Sequence, residues 1–196
     1  MPAAVAAAGQ SLSAAVKQWQ QANPEKRMDQ ESIVKLLCTS PPIDKIDNSV
    51  NAFVNCVRLS LSTNCIDKIP LLPRAALPKI EILSLGRNLI KKISGLEEIG
   101  ATLRELWISY NQITALDGLS CCPKLEVLFI SNNKIKDLVE LRKLSQNPSL
   151  ANLTLVNNPI NDNVARSEMR LNVLAAVPQL RVLDGELLTD RPVTSN

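Results

Sequence analysis

The sequence contains no histidine among its 196 residues, and this absence excludes several kinds of catalytic and metal site. Ser-His-Asp triads, Cys-His dyads and HExxH zinc sites all need an imidazole. Neither GxxxxGK[ST] nor GxGxxG occurs, so the sequence indicates no nucleotide site. The adjacent carboxylates of Glu97 and Glu98 fall on a segment that we expect to be solvated. We therefore predict a protein that is not an enzyme and that binds no cofactor and no metal.

Strong charge is also lacking, as are the features of exported and membrane proteins. The 22 basic and 19 acidic side chains leave a net charge of +3, which is too weak to indicate nucleic acid binding. The longest apolar runs are far shorter than the roughly 20 residues of a membrane helix, and no secretory signal is visible. The five cysteines lack CxxC spacing, so we expect free thiols in a reducing compartment. We thus predict a cytoplasmic protein that binds neither nucleic acid nor a membrane.

One sequence pattern, LxxLxLxxNxI, occurs five times between residues 56 and 160. Its asparagine recurs at intervals of 24, 23, 22 and 25 residues, which is the period of a leucine-rich repeat. A partial unit with Ile43 and Ile46 precedes the five, and a closing unit at 180–185 follows them. The five asparagines are Asn64, Asn88, Asn111, Asn133 and Asn158.

The residue types of the pattern follow from the geometry of a short strand. Side chains alternate along a strand, so the leucine or isoleucine at the fourth and sixth positions of each unit points to the core. The asparagine at the ninth position lies where the chain turns. Its amide can pair with backbone groups that would otherwise be buried without partners. We therefore predict a structural role for the five asparagines.

Together these patterns predict an α/β leucine-rich-repeat solenoid with a parallel concave sheet, short outer helices, and helical caps at both ends. The apolar residues from Leu12 to Trp19 follow the spacing of one helix face, and a second N-terminal helix is predicted over 29–38. A C-terminal helix is predicted over 167–177. The predicted boundaries are a disordered start and helical cap at 1–42, repeats at 43–163, a C-terminal cap at 164–188 and a tail at 189–196.

The strand positions between the core residues point away from the core and form the surface that we call the concave face. Three of the five aromatic residues of the chain, Trp107, Tyr110 and Phe129, fall on these positions. An exposed apolar patch marks an interaction site, and Trp, Tyr and Arg are enriched in interface hot spots. We therefore predict that the concave face binds another protein. The predicted contact residues are Arg58, Ile82, Arg87, Arg104, Glu105, Trp107, Tyr110, Val127, Phe129, Asn152 and Val156.

Two alternative explanations of the aromatic patch were considered. In the first, the chain covers the patch with its own tail or with a terminal helix. In the second, the rings stack on RNA bases, which also requires a strongly basic face. The modest net charge argues against RNA.

Three stretches carry a resemblance to a known family. LSLGRNLIKKI at 83–93 and LWISYNQI at 106–113 include residues of the concave face as well as the repeat skeleton, and MRLNVLAAVPQLRVLDG at 169–185 looks like a C-terminal cap motif. Together they resemble the axonemal outer-arm dynein light chain 1 family over about residues 11–188. The alanine run at the start and the short tail after Gly185 depart from that family.

The resemblance implies a function as well as a fold. Members of that family are non-catalytic subunits that attach to the stalk-tip microtubule-binding domain of a dynein heavy chain and modulate ciliary or flagellar motility. The implied partner is therefore an axonemal dynein heavy chain, with a further contact to tubulin or the microtubule. The implied location is the cytoplasm, the cytoskeleton and the axoneme of the cilium or flagellum.

Two further families with similar repeats give alternative functions. One is the regulatory subunit of a protein phosphatase, which contains more repeats than the five full units here. The other is the spliceosomal A-prime protein, which binds a partner RNA-recognition domain and would imply a nuclear location.

Overall fold

The structure, a computed structural model, describes residues 9–162 and 164–188. Residues 1–8, which belong to the predicted disordered start, lie outside the described residues. The predicted tail at 189–196 lies outside them as well. The strands are β1 (Gln10–Ser11), β2 (Ile33–Lys35), β3 (Ile43–Lys45), β4 (Arg58–Ser60), β5 (Ile82–Ser84), β6 (Glu105–Trp107), β7 (Val127–Phe129), β8 (Asn152–Thr154), β9 (Val182–Leu183) and β10 (Glu186–Leu187). The sheet that carries the repeats has the order β10-β9-β8-β7-β6-β5-β4-β2, and all its neighbours are parallel except β9 and β10. β1 pairs with β3 in a separate two-stranded sheet.

The middle residue of each of the strands β4–β8 faces the core, because side chains alternate along a strand. These residues lie directly opposite one another in the register, and the residues two positions further along form a second buried row. The first row contains Leu59, Leu83, Leu106, Leu128 and Leu153, and the second contains Leu61, Leu85, Ile108, Ile130 and Leu155. The predicted leucine-rich-repeat solenoid with a parallel sheet is thus confirmed.

The repeat asparagines join each unit to the one before it. Asn88 Nδ2 donates to the carbonyl of Leu85 in its own unit at 2.9 Å and to that of Leu61 in the preceding unit at 3.1 Å. Its Oδ1 accepts a hydrogen bond from the Ile66 amide at 3.0 Å. Equivalent bonds occur at Asn64, Asn111, Asn133 and Asn158. The predicted structural role of these residues is confirmed.

The residue before each repeat asparagine has a left-handed backbone, with φ between 55° and 60°. Asparagine adopts this conformation more readily than other non-glycine residues, which suits Asn132 and Asn157. Thr63, Arg87 and Tyr110 hold the same conformation against their local preference, because the flanking hydrogen bonds fix the turn.

A helix covers the N-terminal end of the core, as predicted. α1 (Leu12–Ala22) begins after Ser11, whose hydroxyl caps the first turn. Leu12 and Ala15 are buried, and Trp19 packs against the core with part of its surface exposed. Trp19 therefore belongs to the cap and not to the concave face.

Asp47 connects α1 to the 3₁₀ turn at Asn48–Ala52. Its Oδ2 accepts a hydrogen bond from the Ser13 amide at 3.2 Å, and its Oδ1 accepts bonds from the Ser49 amide at 3.0 Å and hydroxyl at 2.6 Å. Burial opposes ionisation of this carboxyl group, but the hydrogen bonds outweigh it and lower the pKa of Asp47 to about 2.

The C-terminal end is covered by α3 (Arg166–Ala176), whose Met169 and Val173 are buried. Asp184 then joins the cap to the last full unit through hydrogen bonds that differ from those of the repeat asparagines. Its Oδ1 accepts hydrogen bonds from the amides of Leu155 at 2.6 Å and Val156 at 2.9 Å. The last full unit is therefore closed by a side chain of the cap.

The second N-terminal helix predicted over 29–38 is wrong. Residues Met28–Gln30 form a 3₁₀ turn, and β2 follows and pairs with β4. Val34 and Leu36 are buried while Ile33 and Leu37 are exposed, which is the period of a strand and not of a helix. The sheet therefore begins inside the segment assigned to the cap at 1–42, and the partial unit at Ile43 is the second half of that first repeat.

The outer side of the solenoid contains one short helix, α2 (Val139–Lys143), together with 3₁₀ turns and other turns. The short outer helices are predicted throughout the repeats, but residues 94–100 form turns and bends. Adjacent units approach closely here. A Cβ atom at Gly100 would lie 2.2 Å from the carbonyl oxygen of Cys121, so this position has room only for glycine.

Candidate protein-binding face

The register of the parallel strands brings the predicted contact residues onto one surface. The first residues of β4–β8 lie directly opposite one another, and the third residues form the next row. The first row is Arg58, Ile82, Glu105, Val127 and Asn152, and the second is Ser60, Ser84, Trp107, Phe129 and Thr154. Of the remaining predicted residues, Arg104 precedes β6, and Arg87, Tyr110 and Val156 follow the strands.

Trp107 and Phe129 form the apolar centre of this surface. Their ring centroids lie 5.6 Å apart with an interplanar angle of 35°. Trp107 Nε1 donates a hydrogen bond of 2.9 Å to Glu105 Oε2, which fixes the indole while leaving its face available. Both rings keep part of their surface exposed, and Tyr110 is 47% exposed. The alternative in which a terminal helix buries the two rings is therefore wrong, and the alternative in which the tail covers them falls on residues 189–196, outside the described residues.

Arg58 and Arg87 stack on the aromatic residues. Arg58 Cζ lies 5.6 Å from the centroid of Trp107, and Arg87 Cζ lies 4.3 Å from that of Tyr110. A guanidinium over an aromatic face gains a cation–π interaction and keeps its edge N–H donors free. The two predicted cations thus lie directly beside the aromatic centre.

Arg104 is placed differently. It lies between Glu81 and Glu126, which hold the same position in the neighbouring units, and forms an ion pair with each. The distance from Arg104 Nε to Glu81 Oε2 is 3.9 Å. Arg104 is therefore paired with carboxylates at the start of the strands, and it does not stack on a ring.

A shallow hollow of about 270 Å³ lies next to the aromatic centre. Its polar wall consists of serine hydroxyls. Ser62 Oγ and Ser84 Oγ are 2.8 Å apart, and Ser131 Oγ donates to Ser109 Oγ at 3.0 Å nearby. Gly86 contributes no side chain, which keeps the hollow open. Strand alternation places these serines on the concave face, but they are not among the predicted contact residues.

Sequence reasoning also missed the N-terminal end of the concave face. Ile33 lies opposite Arg58 in the register, and Lys35 lies opposite Ser60. Ile33 and Leu37 are exposed, so they extend the apolar surface beyond β4. The tendency to be buried alternates along residues 33–37, which is typical of a strand. This pattern was not recognised, because a helix was predicted over the same residues. At the other end, Val182 continues the first row beyond Asn152.

The described part of the chain offers little other chemistry. In residues 9–162 and 164–188, no group of three His, Cys, Asp or Glu side chains could hold a metal ion. Within the same ranges, none of the helices has the length and apolarity to span a membrane. All five cysteines are free thiols, as predicted. Burial raises the pKa of Cys56 to about 11 and raises that of Cys122 as well, so both thiols stay protonated at neutral pH.

Comparison with known proteins identifies the repeat and a set of close relatives. A family model for leucine-rich repeats (two copies) matches residues 101–143. Dynein axonemal light chain 1 of Danio rerio is 44% identical over 89% of this chain and 90% of its own length. The protein of the same name from Homo sapiens is 42% identical over 89% and 91%, and that from Chlamydomonas reinhardtii is 46% identical over 74% of each chain.

Solved structures with a similar fold come from several classes of protein. A chain of the Drosophila melanogaster SNF/U2A' complex matches with a TM-score of 0.59 and 26% identity over 68% of this chain and 75% of that chain. Internalin C2 of Listeria monocytogenes matches with a TM-score of 0.55 and 26% identity over 72% and 60%. These matches support the repeat architecture.

Proposed function

This chain belongs to the dynein axonemal light chain 1 family, and from that membership we propose that it binds the stalk-tip microtubule-binding domain of a dynein heavy chain through its concave face. It is a leucine-rich-repeat subunit associated with axonemal dynein. In this proposal the chain is a non-catalytic adaptor in the cytoskeleton of the cilium or flagellum, and it modulates motility by changing how the heavy chain engages the microtubule.

The observation that carries the proposal is the pair of half-buried rings, Trp107 and Phe129, at the centre of the sheet's open surface. Large aromatic groups that remain partly exposed in a folded chain favour a protein interface. Arg58 and Arg87 surround them, and Ile82 and Val127 extend the apolar area along the neighbouring strands. The composition is that of an interface core with a polar rim.

A few residues at the centre of the face should supply most of the binding energy. A standard protein interface buries about 1,200–2,000 Å² in total. Most of its binding energy comes from a few central residues, usually Trp, Tyr and Arg. We therefore assign the main contribution to Trp107, with Phe129 and Tyr110 beside it, and a smaller one to Glu105, Asn152 and Val156 at the margins.

A contact with tubulin is a further part of the proposal. The chain has a net charge of +3, and the outer surface of a microtubule is acidic. Screening of a charge interaction increases with salt, so the microtubule affinity of the complex should fall as the ionic strength rises. An affinity that does not change with salt would contradict this part alone.

Of the alternative functions, only the spliceosomal one has a supporting observation, which is the fold similarity to a chain of the SNF/U2A' complex. Its identity to this chain is much lower than that of the dynein light chains. The dynein assignment is therefore favoured. The phosphatase and spliceosomal alternatives predict co-purification with a phosphatase catalytic subunit or with small nuclear RNA.

Fluorine NMR on the chain labelled with fluorotryptophan tests the proposal. The two tryptophans give one signal from the cap, Trp19, and one from the concave face, Trp107. On addition of an unlabelled heavy-chain stalk tip, we expect the Trp107 signal to shift and the Trp19 signal to stay. A shift of Trp19 alone would place the interface at the cap, and no shift with no co-elution would overturn the heavy chain as partner.

A further inference from the structure

Within the described residues, the arginines of the concave face differ in whether they form ion pairs with carboxylates. Arg104 forms ion pairs with Glu81 and Glu126. Arg58 and Arg87 form no ion pair with any carboxylate in residues 9–162 and 164–188, and each is stacked on an aromatic ring instead. Two cations are therefore held in place next to the apolar centre without an acidic partner in the described chain.

Stacking also orients these cations. A guanidinium lying over a ring directs its five N–H donors outward from its edge, in the plane where a carboxylate oxygen can accept two of them. Holding the group on Trp107 or Tyr110 reduces the conformational entropy that would be lost on binding an anion. The two arginines are thus prepared to receive a negative charge.

The hollow beside Arg87 supplies matching polar groups. It is lined by hydroxyls, including those of Ser62, Ser84 and Ser109, and no acidic side chain lines it. A Cβ atom at Gly86 would make only ordinary van der Waals contacts, 3.4 Å from the Ser109 carbonyl oxygen and 3.8 Å from Ser62 Oγ. Hydroxyl and guanidinium donors around a small open space are suited to a single carboxylate.

We propose that the segment bound on the concave face carries an aspartate or glutamate that enters this hollow and pairs with Arg87, next to an apolar side chain that packs on Trp107 and Phe129. Arg58, stacked on Trp107 outside the hollow, attracts the same acidic segment. This inference rests on the proposed function and specifies the chemistry of the partner. The partner segment is therefore acidic and apolar together. A purely apolar segment would leave the two stacked arginines desolvated and unpaired, which is costly.

The test replaces each arginine by the residue that another repeat unit has at the corresponding position. Asn132 holds the left-handed position that corresponds to Arg87, and Asn152 holds the strand position that corresponds to Arg58. Arg87→Asn and Arg58→Asn therefore remove a charge while placing a residue that the fold already uses at that site. Arg27→Asn is the matched control, because it removes the same charge from a side chain that is already paired, with Asp29, and that lies outside the strands of the concave face.

Each variant is titrated calorimetrically with an unphosphorylated, recombinant heavy-chain stalk tip at low and high salt. We expect Arg87→Asn and Arg58→Asn each to weaken binding about tenfold and to reduce its salt dependence, with little change for Arg27→Asn. Equal affinities of all three variants and the unsubstituted chain, with Trp107→Ala still impaired, would overturn this inference and leave the proposed function intact. No binding by the unsubstituted chain would overturn both.

Discussion

Trp107 and Phe129 lie directly opposite each other on β6 and β7, with ring centroids 5.6 Å apart. Aromatic pairs at this separation gain about 0.5–1.5 kcal/mol beyond the burial of their area. The hydrogen bond from Trp107 to Glu105 further restricts the indole. A partner therefore meets a preformed apolar platform, and the ordering cost on binding is correspondingly small.

Asn111→Ser should destabilise the fold by about 1–3 kcal/mol, because it leaves buried backbone groups unpaired. Asn111 pairs with the carbonyls of Ile108 and Leu85 and with the amide of Ile90, each at 3.0 Å. Chemical denaturation measures the loss. Gln112→Ser, at the next and less buried residue, is the control and should change stability by less than about 0.5 kcal/mol. Equal midpoints for the two variants would show that the hydrogen bonds of the repeat asparagine do not stabilise the solenoid.

Leu36→Ala and Leu37→Ala distinguish the strand from the helix that the sequence predicted at 29–38. Leu36 is 4% exposed and Leu37 is 46% exposed. Truncating the buried leucine should cost about 2–5 kcal/mol, and truncating its neighbour should cost less than about 1 kcal/mol. Thermal or urea denaturation of the pair gives the comparison. Similar losses at both positions would contradict the strand, in which adjacent side chains point to opposite sides.

Asp47→Ala should destabilise the N-terminal cap by about 1 kcal/mol at neutral pH, which is the usual cost of removing such a capping group. The pKa of Asp47 in the folded chain is lowered to about 2. Its contribution is therefore complete above the pKa of about 3.9 in the unfolded chain and is lost as the pH falls towards 2. Denaturation at a series of pH values should show the difference between variant and original shrinking across that interval. A difference that persists undiminished at pH 2 would contradict the assignment.

Alkylation of the native protein should modify Cys38 and Cys65 first. Both are exposed, whereas Cys56 and Cys122 are buried with pKa values raised by burial. Mass spectrometry after a short treatment with iodoacetamide identifies the modified residues, and a sample in urea provides the fully reactive control. Modification of Cys56 at the rate of Cys65 would mean that the N-terminal part of the core opens readily.

The repeat skeleton could be predicted from the sequence because every unit uses the same physical solution. In each unit, core residues alternate along a strand and an asparagine pairs with two units, as at Asn88 and Leu85. Because these residues recur at a regular spacing, the period of the repeat can be counted in the sequence. β2 could not be recognised in this way. Its unit has Thr39 in place of the asparagine, and the Pro41-Pro42 pair makes the path from Leu36 to Ile43 two residues longer than that from Leu61 to Ile66.

The contact surface was predictable in outline but not in its electrostatics. Strand alternation placed Trp107, Phe129 and Arg58 on one face. The repeat pattern did not show that Arg104 is neutralised by glutamates in both neighbouring units, since that depends on which long side chains meet. The stacking of Arg87 on Tyr110 depends in the same way on their rotamers in the left-handed turn.

The central claim is that the concave face binds a dynein heavy chain, and calorimetric titration of Trp107→Ala with an isolated outer-arm stalk tip tests it most directly. Leu171→Ala is the matched control, because Leu171 is 67% exposed on α3 and outside that face. The account predicts that Trp107→Ala loses at least about 2 kcal/mol of binding free energy while its thermal midpoint stays near that of the unsubstituted chain, and that Leu171→Ala binds normally. Unchanged affinity in Trp107→Ala would contradict it.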